Sequence, residues 1–382
     1  MARQPAAQAS LRDRTKDDVY ELIRASGAAT RSSIAEATGY SPSTVGHAVA
    51  KLLAEGRIIE SDQAPREPGS GAGRPAKTLH VVSTQALTGA IDFGQSHVGV
   101  AVGTNRGELL KEVRRPFEVG ERAEEAMAMA CRMLQELAAE HSKGRLALVV
   151  AGVPAPIDFI TGNVCAPTLL PGWTGRAPAK ELEDRLAVRV VVENDAFLGA
   201  CGELQHGAGR LHRDFIYVRA SHGIGAAIVL DGRARKGATG LSGEIGHTRI
   251  DGRDDPCRCG KFGCLEAVAS LDIARRRIAD VSSGTARKDL AEVPDADEVF
   301  RECGSLLGTV LADVCNALNP SAVVLGGELG QSGQAYIEGV RASIDQFALP
   351  AIAAAVEITA AEFGDRAEIR GALTRASQRL TA

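Results

Sequence analysis

The chain has 382 residues, 45% of them hydrophobic and 24% charged, with a net charge of −4, the balance of a globular protein with room for two or three domains and a large core. No stretch approaches the ~20 continuous apolar residues that span a bilayer. The start, MARQPAAQASLRDRTKDD, lacks the apolar run of a signal peptide, so a cytoplasmic protein without a membrane partner is expected. Residues 1–80 carry 11 Lys/Arg against 9 Asp/Glu, a net of +2 that leaves −6 for the rest; this asymmetry is too small to establish nucleic-acid binding.

Residues 13–60 read as short helices with tight turns. Val19, Tyr20, Leu22 and Ile23 form an apolar face that Gly27 ends, and Thr30 caps a second helix carrying Ile34, Ala35 and Ala37 up to Gly39. Ser41 followed by Pro42 is a strong start for a third, with a hydroxyl cap and a proline where no N–H is needed. That helix sets Val45, Val49, Leu52 and Leu53 on one face and ends at Gly56. Ala35, Gly39 and Val45 hold helix-turn-helix spacing, which leaves Ser43, Thr44, His47 and Lys51 as candidate DNA contacts. RIIESD and KTLHVV can pair as a wing, with Arg74 between Gly73 and Pro75 suited to a narrow minor groove. The head is thus read as a helix-rich winged helix-turn-helix domain over 1–80, its wing and linker at 61–80; the competing reading is a helical dimerisation bundle followed by a flexible linker.

From about residue 85 strands alternate with helices. LTGAIDFG, HVGVAVGT and GELLKEVRRPF read as three consecutive strands, and 121–142 as a helix with Met127, Ala130, Cys131, Leu134 and Leu137 on one face. ALVVAGVP and VRVVVEN are apolar runs of the kind buried in parallel sheets. A second round runs through FIYVRAS and GAAIVLDG, a long helix at about 297–317 and the strand SAVVLGG. Two sheets of similar layout imply a duplicated α/β architecture with a cleft between two lobes.

Cys257, Cys259 and Cys264 stand within eight residues, while Cys131, Cys165, Cys201, Cys303 and Cys315 are scattered through apolar contexts. In a reducing compartment this is one metal cluster plus buried thiols. Tetrahedral zinc wants four N or S ligands, and His247 is the obvious fourth, although its imidazole can equally serve a ligand.

GATGLSGEIGH at 237–247 followed by CRCGKFGCLE at 257–266 resembles the signature of the ROK family of bacterial repressors, uncharacterised reading frames and sugar kinases. The turn at Asp92, GVPAPID, PGW, ENDA and LNPSAVVLGGELG fall in family order, and the winged head resembles that of the repressor branch. The resemblance implies an actin-like, ribonuclease H-like fold over 85–382, in lobes of about 85–200 plus the C-terminal helix and about 201–365. It also implies a structural zinc, a sugar in the cleft and a homodimer or homotetramer.

Asn194 and Asp195 lie beyond the carboxyl end of VRVVVEN, where open α/β sheets place ligands, and carboxylates suit sugar hydroxyls as pure acceptors. Glu244 and His247 precede the cysteine run and Glu266 closes it, which completes the candidate sugar set. For Asn194 and Asp195 the plainer role is a helix cap, and the two roles can coexist. In the kinases that the chain resembles, the residue matching Asp195 is the catalytic base. ATP phosphates, with Mg²⁺, would then meet Gly94, Ser96, Gly223 and Gly225, with Gly326 and Gly327 on the adenosine side or simply turning the chain. Against this, the family's D-x-G-G-T appears here with Gln95, and its G-T-G-x-G with Ser221 and His222. The expected function is therefore a sugar-responsive regulator, most simply a repressor, that binds a palindromic double-stranded operator; an ATP-dependent sugar kinase with an accessory head is the alternative. A regulator controlled by a protein partner is a third reading.

Overall fold

The computed structural model describes residues 5–61, 77–81, 86–141, 145–158, 162–164, 170–281 and 296–381. Arg74 and the 63–76 linker lie outside the described residues. The chain divides into two compact units, Met1–Ala86 with Ser377–Ala382, and Leu87–Ala376. The last turn of the C-terminal helix thus groups with the first unit rather than with the sheets, a long-range grouping that no local pattern marks.

In the first unit α1 (Pro5–Ser26) begins earlier than the apolar spacing predicts, because Pro5 suits a first turn and the alanines, Gln8 and Leu11 favour helix. It is followed by β1 (Ala29–Thr30), α2 (Arg31–Thr38), α3 (Pro42–Ala54), β2 (Ile58–Ser61) and β3 (Thr78–Val81). Thr30 and Ser33 cap α2 reciprocally: Ser33 N–H donates to Thr30 Oγ1 at 3.1 Å and Thr30 N–H to Ser33 Oγ at 2.9 Å. Ser41 Oγ accepts from Thr44 N–H at 3.2 Å and opens α3. Val19, Ile23, Ile34, Val45, Val49 and Leu52 are fully buried together with Ile58 and Leu79 from the strands. β2 and β1 both pair antiparallel with β3, so the expected pairing of RIIESD with KTLHVV is seen over Ile58–Ser61 and Thr78–Val81.

The second unit holds two five-stranded sheets. The first is built from β4 (Leu87–Gly94), β5 (His97–Thr104), β6 (Leu109–Pro116), α4 (Ala123–Glu140), β7 (Leu146–Val153), α5 (Pro178–Leu186), β8 (Val190–Asn194) and α6 (Asp195–His206). Its strand order is β6-β5-β4-β7-β8, antiparallel on the hairpin side and parallel between β4, β7 and β8. β9 (Phe215–Ala220), β10 (Ile224–Leu230) and β11 (Arg233–Arg235) open the second sheet. α7 (Leu265–Ala269), α8 (Leu271–Val281) and α9 (Ala296–Leu318) lead to β12 (Ala322–Gly326) and α10 (Gly327–Gly330). α11 (Gln334–Phe347), α12 (Pro350–Ala355), β13 (Glu357–Ala360) and α13 (Ala367–Thr381) complete the chain. The order β11-β10-β9-β12-β13 repeats the first sheet strand for strand, with the same parallel and antiparallel pairs.

Each sheet has its own core. Met127, Ala130 and Leu134 of α4 pack with Ile91, Val100 and Val149; Phe300, Leu307 and Leu311 of α9 pack with Tyr336, Val340, Val323 and Leu325. Trp173, the single tryptophan, is fully buried, edge-on to Phe93 at 4.9 Å, and donates its indole N–H to the Val119 carbonyl at 2.8 Å. Replacing it by Phe keeps the apolar bulk but leaves that carbonyl without its donor. Trp173→Phe is therefore expected to cost about 1–3 kcal/mol, read from the urea midpoint by circular dichroism; an unchanged midpoint would show that the hydrogen bond contributes nothing.

Candidate functional site

His247, Cys257, Cys259 and Cys264 offer ligand atoms that all lie within 4.8 Å of one another. Cys257 Sγ is 3.7 Å from His247 Nδ1, and Cys259 Sγ is 3.7 Å from Cys264 Sγ. Sulfurs bound at ~2.3 Å around a tetrahedral ion sit ~3.8 Å apart, so the four groups fit one such ion. Backbone pairing brings them together: Leu265 N–H donates to Thr248 O, Ile250 N–H to Gly263 O, and Cys257 N–H to Lys261 O. The isolated bridge Arg249–Cys264 registers the His247 segment against the last cysteine.

One open cleft is lined by all five residues of the candidate sugar set, Asn194, Asp195, Glu244, His247 and Glu266. Asn194 caps α6, accepting from Phe197 N–H at 3.1 Å and donating to Ala155 O at 3.3 Å. The capping role is thus present at a residue that also faces the cleft. Asp195 is buried; its Oδ1 accepts from Ala196 N–H at 2.7 Å and its Oδ2 lies 3.2 Å from Arg219 Nη1. Burial, with Asp195 and Glu266 nearby, pushes the Glu244 carboxyl up to about 7. The imidazole of His247 turns Nδ1 to the cysteines and Nε2 toward Glu244 Oε2 at 3.9 Å, so one ring joins the thiol cluster to the cleft.

Arg258, between two of the cysteines, donates to Glu266 Oε1 at 3.1 Å, to the His222 carbonyl at 2.8 Å and to Gln95 Oε1 at 3.3 Å. A single side chain therefore reaches from the cysteine loop to the first hairpin turn of each sheet. Neither Arg258 nor Arg219 stands out from the spacing of the sequence. The available signal for Arg219 was a cation ending the run FIYV, which burial obliges to find acids.

The hairpin turns are occupied by the protein's own groups. Ile224 N–H donates to Glu266 Oε2 at 3.1 Å and Ser221 N–H to Gly223 O at 2.9 Å. The hydroxyl of Ser221 is bonded to Glu328, and His222 Nδ1 is 2.8 Å from Asp272 Oδ1. The His97 ring lies against the α-carbon of Gly94, where a Cβ would stand 1.9 Å from it, and Nε2 of that ring is 2.7 Å from Asp92 Oδ2. Ser96 is half-buried in the same turn, its carbonyl accepting from Phe117 N–H. Gly327 has φ +74° and abuts the Ala220 carbonyl, and Gly326 abuts the Tyr217 hydroxyl. Both have packing reasons to be glycine. Gly223 and Gly225 line the cleft.

In the first unit Ser43, His47 and Lys51 are exposed along α3 and Thr44 is half-buried. His47 Nδ1 is 2.9 Å from the Ser43 carbonyl one turn back. No described helix is long and apolar enough to cross a membrane.

A family model described as the ROK family matches residues 88–379. The xylose repressor of Caldicellulosiruptor bescii is 26% identical over 367 residues, covering 90% of this chain and 90% of its own. The glucokinase of Halalkalibacterium halodurans is 29% identical over 304 residues, 74% of this chain and 92% of its own. A solved structure described as a ROK family transcriptional regulator, homolog of E. coli MLC protein, superposes with a TM-score of 0.69 at 23% identity over 97% of both chains.

Burial pushes the thiols of Cys131, Cys303 and Cys315 up to about 11 and that of Cys201 up to about 12. These four are expected to stay unmodified by iodoacetamide in the folded protein. Cys257, Cys259 and Cys264 are expected to react after metal stripping and to be protected again by added zinc, as peptide mapping by mass spectrometry would read. Equal labelling with and without zinc would count against a shared ion.

Proposed function

The chain belongs to the ROK family, and from that premise we propose that it is a sugar-responsive DNA-binding transcription regulator, acting as a repressor of carbohydrate genes. The carrying observation is the first unit: the xylose repressor matches this chain over 90% of its length, whereas the glucokinase matches 74%. The capped α3, its exposed Ser43, His47 and Lys51, and the sheet of β2 and β3 support a winged helix-turn-helix in that unit. In this reading α3 enters the major groove, and a homodimer or homotetramer sets two such helices on a palindromic operator. Arg74 is assigned to the minor groove. Such a protein works beside the chromosome in the cytoplasm, where its thiols stay reduced.

In the cleft, Asp195, Glu244 and Glu266 accept sugar hydroxyls, and Asn194 and His247 fix orientation. Zinc held by His247, Cys257, Cys259 and Cys264 supplies local order to a loop with little apolar content of its own. Through the His247 ring it also fixes where Glu244 stands. A sugar that binds one arrangement of the lobes better than another shifts the population toward it, and the operator affinity with it.

Sugar phosphorylation is the second reading, favoured by Asp195 at the cleft, where a general base would stand. The hairpin turns fit nucleotide phosphates poorly, since Glu266 takes the Ile224 amide and Gln95 brings a side chain to the first turn. Assaying ADP release across hexoses and amino sugars decides the matter: turnover abolished by Asp195→Asn would favour the kinase.

Two outcomes test the regulator. Losing a charged hydrogen bond costs ~1.5–3 kcal/mol, so Glu266→Gln is expected to weaken the responding sugar by about 10- to 100-fold in calorimetry. Lys51→Ala is expected to weaken operator binding similarly on all sequences and to lower the slope of log K against log salt by about 1. A fluorescence anisotropy series over salt with unchanged slope would remove Lys51 from the DNA face. No specific DNA binding with or without any sugar would sink the proposal.

A further inference from the structure

Arg219 is the penultimate residue of β9, the central strand of the second sheet, and its register partners are Gly225 and Gly326, so no cross-strand side chain flanks it. Its side chain lines the cleft. Nη1 is 3.2 Å from Asp195 Oδ2 and Nε donates to Glu368 Oε1 at 2.9 Å. The three side chains are 12%, 9% and 1% exposed. Burial works against the charge of Arg219, but Asp195, Glu368, Asp92 and Glu328 together hold it firmly protonated. Those four acids come from α6, α13, β4 and α10, so elements of both sheets converge on one cation. Asp92 Oδ1 and Glu368 Oε2 are buried with no hydrogen-bond partner.

Acids gathered at the carboxyl ends of strands and shut away from water demand a positive charge. In a phosphoryl-transferring cleft that charge is a divalent ion, which arrives with the nucleotide and bridges its phosphates. Here the charge is covalently part of the chain. Nε of Arg219 donates to Glu368, and one oxygen of the base candidate, Asp195, is held in an ion pair with Nη1. We infer that Arg219 is a resident cation standing in place of a divalent metal ion, so that the cleft takes a neutral sugar and excludes a metal–nucleotide.

The inference goes beyond the regulatory reading and stands whether or not the first unit binds DNA. Its test uses zinc-replete, full-length protein titrated with Mn²⁺ and followed by electron paramagnetic resonance. Wild type and Arg219→Lys are expected to bind no Mn²⁺ in the cleft. Arg219→Gln is expected to gain one site at least about ten-fold tighter than anything in wild type, and adding Asp195→Asn to that variant is expected to abolish it. If Arg219→Gln fails to fold, as circular dichroism would show, the double variant Arg219→Gln/Glu368→Gln relieves one buried acid and serves in its place. Mn²⁺ binding to wild type at the affinity of the Gln variant would overturn the inference. So would a folded Gln variant that binds none, or a site indifferent to Asp195→Asn.

Discussion

The cleft depends on one local constraint, the convergence of an imidazole and three thiols within 4.8 Å. The segment from Glu244 to Glu266 is short of regular structure and of apolar residues, so it cannot hold its shape by burial alone. Gathering His247 to the cysteines fixes the ring, and the ring faces Glu244 with its other nitrogen. The same turn sends Arg258 outward to Glu266 and to both hairpins. Of the three acids proposed to meet sugar, Glu244 is placed by the loop and Glu266 by the start of α7 directly after it.

Charge is the second constraint. Asp92, Asp195, Glu266 and Glu368 are all buried, and in a low-dielectric interior acids at this density would repel and take up protons. His97 offsets Asp92, Arg219 offsets Asp195 and Glu368, and Arg258 offsets Glu266. Burial nevertheless pushes the Asp195 carboxyl up, that of Glu368 up to about 8 and that of Glu244, to which neither arginine is bonded, up to about 7. A hydroxyl-bearing ligand fits such a surface because it can donate to acids without adding charge.

Much of this was legible in the sequence because the signals are local. The Ser41–Pro42 start, the Thr30 cap, the alternation of apolar strands and helices, and the spacing of the cysteines each report conformation within a few residues. Asn194, Asp195, Glu244, His247 and Glu266, which line one cleft, draw notice for the same reason: each stands beside a strand end or a glycine turn. What stayed hidden depends on pairing at long range. The strand Glu357–Ala360 forms only because β12 offers it an edge, and α5 sits in a stretch with just two buried anchors, Pro178 and Leu182. Apart from the Arg258–Glu266 pair, Arg219 and Arg258 acquire meaning from partners 24 to 163 residues away. The grouping of Ser377–Ala382 with the first unit has no local marker at all.

The strand-for-strand repetition of the two sheets has a consequence for how such a protein can change. Each sheet presents its first hairpin turn to the cleft, and neither turn contributes to the apolar cores, which lie around α4 and around α9 with α11. Gln95 and His222 can therefore drift with little penalty in packing, while the acids and thiols proposed to form the site are held by helices and by the loop. A lineage could thus exchange turnover for recognition, or the reverse, through a few tip residues, leaving the scaffold nearly silent in the exchange.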